Sequence, residues 1–152
     1  MTKFWQRVIA VIEVVGGVLA LSATIFAARA GSSKSNIILG ATLDSLVLVA
    51  GVTLWFRSAT GVLLSELAIG LQSVQVFTGW FVWQYVAGAA LLVQIIGGKI
   101  HWSGGVLVRH TFSLGGEGDG TGLGVNVVAI AALVFLIMAR RRGKSLHQQG
   151  TA

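Results

Sequence analysis

The 152-residue chain contains no cysteine, no proline, one tyrosine and only five acidic residues. Without cysteine there is no disulfide, no thiolate nucleophile, no iron–sulfur site and no cysteine-based zinc site. Without proline no helix is obliged to kink there, although about 5% is usual and membrane helices tolerate it. That argues against a transporter built on proline-broken helices and leaves glycine-broken ones open. Charge of either sign is scarce: 11% of residues are charged and 55% hydrophobic, with a mean hydropathy of +0.83. A soluble domain carries about 25% charged residues, so this is the composition of a single membrane domain.

What charge there is falls mainly outside the apolar runs. Eleven lysines and arginines give a net charge of +6, and Arg140, Arg141, Arg142 and Lys144 cluster after the last run. No soluble basic face is present to bind nucleic acid, so the basicity is a positive-inside topology signal.

The first run covers residues 8–28, behind Lys3 and Arg7. With Ala28-Arg29-Ala30 it has the outline of a signal peptide, but it is about twice the usual core of roughly 7–15 residues, which predicts a retained span. The second run, 36–56, is long enough to cross roughly 30 Å of hydrocarbon at about 1.5 Å per residue. It ends on Trp55 and Phe56, residues suited to an interface, with Arg57 beyond. Two further spans are predicted at 59–77 and 122–139, the last stopping at the arginine cluster. Basic residues at both ends place both termini in the cytoplasm, so crossings are even in number and residues 78–121 lie outside.

The outer region reads as β-rich. Val106, Val108, His110, Phe112 and Leu114 fall on one side of an extended chain with Arg109, Thr111 and Ser113 on the other, Ser103-Gly104-Gly105 can turn the chain back on residues 99–102, and VFTGWFVWQYV is aromatic and β-branched. The expected fold is therefore a membrane all-α bundle of four transmembrane helices with a small β-rich extracytoplasmic cap between the third and fourth. A competing reading makes residues 86–97 a re-entrant or interfacial helix, because about 12 apolar residues are too few to span.

Glu13, Asp44, Glu66 and Gln72 fall inside the predicted spans, where a carboxyl costs several kcal/mol by most scales. Glu13 and Glu66 are expected at about the same depth, close enough to share a proton. Gly16, Gly17, Ala20 and Thr24 share the Glu13 face of the first span, and small residues so spaced let another helix approach. These polar groups read either as a proton or ion path or as interhelical hydrogen bonds, with the carboxyls protonated or paired to Arg7, Arg29 or Arg57.

No catalytic, nucleotide-binding or cofactor motif is found. His101, His110, Glu117 and Asp119 lack the spacing of a metal site, and His110 is expected to be a hydrogen-bonded structural residue. The glycine run SLGGEGDGTGLG, 113–124, misses the calcium repeat G-G-x-G-x-D by one residue. It reads as an exit from the cap, with Thr121 capping the fourth helix and Glu117 and Asp119 complementing its dipole.

Two inside termini with a short and a long outer loop resemble the layout of tetraspanins, whose extracellular cysteines are missing here. LSELAIGLQSVQVF, then an aromatic region, then FSLGG and GVNVVAIAALVFL, resemble small uncharacterised bacterial membrane proteins, which implies a similar four-helix fold and no activity. The expected function is a non-enzymatic accessory or assembly subunit of the bacterial inner membrane. Its expected partners are the lipid bilayer and other membrane proteins or a second copy, met through the helix faces and the outer cap. A small channel or proton-coupled transporter using the intramembrane carboxyls is the alternative, and a phage-type hole-forming protein also fits the size.

Overall fold

A computed structural model describes residues 2–114 and 121–149. Two long helices come first, α1 (Thr2–Arg29) and α2 (Lys34–Trp55), and both are long and apolar enough to cross a membrane. Ser33 starts α2 by accepting the Asn36 amide on its hydroxyl, and Ser58 does the same for Gly61 at the start of α3 (Ala59–Ser73). Between α2 and α3 the chain reverses through Arg57, which has a left-handed φ of 56°. The pair α1–α2 packs closely because Gly17 meets Leu48 and Gly51 meets Glu13 and Val14.

The expected four-helix bundle is not what forms. Only α1 and α2 meet the length and hydropathy of a membrane span among the described residues. The predicted third span, 59–77, leaves the helix at Ser73 and continues as β1 (Val74–Phe77); the predicted fourth begins as β4 (Gly122–Asn126) and becomes α4 (Val127–Gln149). Val-Gln-Val-Phe alternates with period two and is rich in β-branched residues, so it suits a pleated strand that has partners. Those partners are β2 (Phe81–Ile96) and β3 (Lys99–Leu114), giving an antiparallel sheet of order β1-β4-β2-β3 in which β1 also pairs with β2. Residues 86–97 are thus strand up to Ile96, followed by the start of a turn, and no re-entrant helix forms there.

The β2–β3 register runs unbroken from Phe81↔Leu114 to Ile96↔Lys99. Gly97 and Gly98, with φ of 57° and 77°, close this hairpin as a two-residue loop whose positive φ values match the strand twist. The turn expected at Ser103-Gly104-Gly105 is instead the middle of β3. The bend lies in β2, whose first part pairs with β1 (Val76↔Trp83) and whose last part pairs with β4 (Ile96↔Gly122). Gly88, at φ 112°, supplies the bend in β2.

The bend rests on α1. A Cβ added at Gly16 would lie 2.6 Å from the Ala87 carbonyl oxygen and 2.9 Å from Gly88 Cα. The sheet therefore lies alongside the helix pair rather than capping its end. Small residues fill the junction: Ala20, Ala50, Ala68 and Ala87 are buried with Leu43, Val47 and Tyr85. A second cluster joins Ile9, Ala10 and Leu54 to Ile69 of α3 and Ala129 and Leu136 of α4. Helix α4 is capped by Asn126, which accepts the Ala129 amide at 3.3 Å, and not by Thr121, whose carbonyl accepts the Gly97 amide at 3.2 Å. Glu117 and Asp119 lie outside the described residues.

Gly16→Ala is expected to cost about 1–3 kcal/mol, because the backbone of the bend must move away. Gly70→Ala, whose added Cβ meets nothing within 4 Å, is the control and is expected to be neutral or slightly stabilising. Thermal unfolding of both variants in detergent checks the pair.

Candidate functional site

The buried polar groups fall into three separate sets. In the first, Asp44 of α2 has 0% exposure. Thr24 of α1 donates to its Oδ2 at 2.7 Å, and Tyr85 of β2 donates to its Oδ1 at 3.4 Å. His110 of β3 brings Nε2 within 3.0 Å of Oδ1, a close polar approach outside hydrogen-bond alignment. The His110 ring also stacks on Tyr85 at 5.4 Å. Beside this set lies a cavity of about 230 Å³ bordered by Thr24, Ser32, Asn36 and His110.

The second set joins α1, α3 and α4. Ser65 donates to Glu13 Oε2 at 2.7 Å, and Arg140 pairs with Glu66 Oε2 at 3.0 Å. The two carboxyls expected to share a proton thus have different partners. Ser65 and Glu66 are consecutive on a helix and point about 100° apart, one toward α1 and the other toward α4. Gln72 serves the fold as well, since its Oε1 accepts the Ala87 amide at the bend of β2 at 2.9 Å.

The small-residue stripe of α1 is likewise occupied from within. Gly16 meets β2, Gly17 meets α2, Ala20 is fully buried and Thr24 holds Asp44. It offers no face to a further helix.

The third set is the inner face of the sheet. Gln75 of β1 is fully buried, and its Oε1 accepts from Gln94 at 2.6 Å and from Gln84 at 3.4 Å. Gly124 of β4 lies between Gln75 and Gln94 in the register, where a side chain would collide with both. The outer face is the reverse in character. One row crosses all four strands as Val76, Leu123, Ile95 and Ile100, and the next as Val74, Val125, Val93 and Trp102. Ile100 is 72% exposed and Trp102 79%. A sheet with one face to water turns its polar side outward; this one turns amides inward and aliphatic side chains outward, the polarity of a membrane strand.

No protein-family model, no characterised protein sequence and no solved structure matches the chain. The surface must be read on its own chemistry. The site residues expected from sequence, Glu13, Asp44, Glu66 and Gln72, are each engaged in holding one element to another. The outer sheet face was not among them, although a signal was present: Gln75 sits between two valines, and Gln94 lies one strand position from Val93 and Ile95. Among the described residues no group of three or more metal-ligating side chains comes together.

Asp44→Ala strands Thr24 and Tyr85 and is expected to destabilise the fold by roughly 3 kcal/mol, with Asp44→Asn costing clearly less because it keeps an acceptor. Unfolding in detergent followed by tryptophan fluorescence measures both, and equal stability of Asp44→Ala and the parent would remove Asp44 as the helix–sheet tie.

Proposed function

We propose that the chain is a non-enzymatic membrane subunit that assembles with other membrane proteins through the outer face and free edge of its sheet. In this reading α1 and α2 cross the bacterial inner membrane and both termini are cytoplasmic. The observation that carries it is the inverted polarity of the sheet. Eight aliphatic or aromatic positions in two rows face outward, while the glutamines face inward. Such a face is unstable against water and suits a neighbouring protein or lipid.

The edge favours a protein. Strand β3 is 16 residues long and, among the described residues, pairs with β2 on one side only. An unpaired row of amides and carbonyls in hydrocarbon costs several kcal/mol per group, and another strand satisfies it. The interior supports the same conclusion, because Glu13, Asp44 and Glu66 each have partners within the fold.

A photo-crosslinking residue at Ile100 or Trp102 is expected to give protein adducts in intact membranes, whereas one at Phe26, 66% exposed on α1, gives lipid adducts. Lipid adducts alone at all three positions would sink the subunit reading. Vesicles containing the protein are expected to pass protons no faster than empty ones; a flux that disappears with Glu13→Gln would reinstate a channel. The cysteine-free background gives the topology directly: Ser32→Cys should react with an impermeant maleimide in intact cells, and Ser58→Cys only after the cells are broken.

A further inference from the structure

We propose that the groove between α1 and α2 at their Arg7–Arg57 end binds one anionic phospholipid of the surrounding bilayer. The proposal rests on the membrane reading above but not on the sheet. The groove has a volume of about 290 Å³ and a wholly apolar wall that includes Val11, Val14, Val15, Val52, Trp55 and Phe56. It exists because Gly51 lets the helix backbones come together just beneath it, where an added Cβ would lie 2.8 Å from the Val14 amide nitrogen.

A cation is fixed at its mouth. The Arg7 guanidinium lies 5.5 Å from the Trp55 ring centroid, a cation–π contact that holds it at the groove rather than free in solvent. Arg7, Val11, Val14 and Val15 follow one another at helical spacing on one stripe of α1, so charge gives way to aliphatic surface within about 12 Å of helix. Arg57 supplies a second positive charge beyond Phe56, and among the described residues neither arginine has an acidic partner; Glu66 is taken by Arg140. Phosphate at the guanidinium and an acyl chain along the valines match this arrangement in both charge and direction. A zwitterionic lipid fits the wall equally well but carries a choline or amine that the arginines repel. The selectivity therefore lies with the arginines and the retention with the valines.

Native mass spectrometry of the detergent-purified chain, supplied with equal amounts of phosphatidylglycerol and phosphatidylcholine of matched acyl chains, tests this. The expected result is preferential retention of phosphatidylglycerol, of roughly fivefold per arginine. Arg7→Gln with Arg57→Gln should abolish the preference, Val11→Trp should fill the groove and reduce both adducts, and Arg29→Gln at the far end of α1 should change nothing. Equal retention of the two lipids by the parent chain, or a preference that survives the double arginine variant, would overturn the proposal. Fractionation provides the separate control: a chain that stays soluble without detergent overturns the membrane reading and this site together, whereas a membrane-bound chain without lipid preference overturns this site alone.

Discussion

A carboxyl removed from water is costly unless donors surround it, and Asp44 receives its donors from elements that meet only in the folded molecule. Thr24 comes from α1, Tyr85 from β2, and His110 approaches from β3. The helix pair alone leaves Asp44 half satisfied, and the sheet alone leaves the Tyr85 phenol without an acceptor. Docking one on the other resolves both deficits at once. That docking in turn requires backbones to touch, which Gly16 permits and any side chain there would prevent. Gln72 completes the junction by taking up the Ala87 amide that the bend of β2 presents. Polar satisfaction and close packing are therefore one cooperative event in this fold.

The interior of the sheet obeys the same constraint. Glutamine is polar without being charged, so burying it costs far less than burying a carboxylate when its amide finds partners, as the Gln75 oxygen does twice while its nitrogen is left without one. Gln84 and Gln94 both donate to Gln75 because β2 pairs with β1 near its start and with β4 near its end, where Gly124 leaves the way open from Gln94 to Gln75. The bend at Gly88 thus creates the amide cluster as well as the contact with α1. With the amides inside, the period of two sends Val74, Val76, Val93 and Ile95 outward, and no register shift can bury them without exposing the glutamines.

Much of the helix pair was legible in the sequence, and less of the chain beyond Trp55. The runs 8–28 and 36–56 fall within or nearly within α1 and α2 because continuous apolar length is a local property. The aromatic, β-branched character of residues 81–85 and the alternation at 106–114 indicated strands for the same reason. Residues 59–77 misled because apolar content is equally high in the helix to Ser73 and the strand after it; pairing with β2 and, above all, with β4, distant in sequence, decides the change. Two glycine pairs competed for the hairpin turn, Gly97-Gly98 and Gly104-Gly105. The choice is made by the 16-residue register on either side of the turn, which no short window contains. The partners of the carboxyls were hidden similarly, since Glu13 meets Ser65 and Asp44 meets His110 only through tertiary placement.

These placements also bear on what the molecule can do. A conducting path needs polar groups at successive depths, each able to release the one before it. Here the polar sets at Glu13 and Asp44 are separated along α1 by Gly16, Gly17 and Ala20, which are packed against Ala87, Leu48 and the alanine-rich core. Backbone contact at that point closes the direct line along α1 between them. In the proposed reading the acidic residues act as fasteners between elements, each holding a partner on a neighbouring element. In the proposed reading, ligands and partners are met at the periphery, where Arg7 stands at the mouth of an apolar groove and the sheet turns its aliphatic face outward.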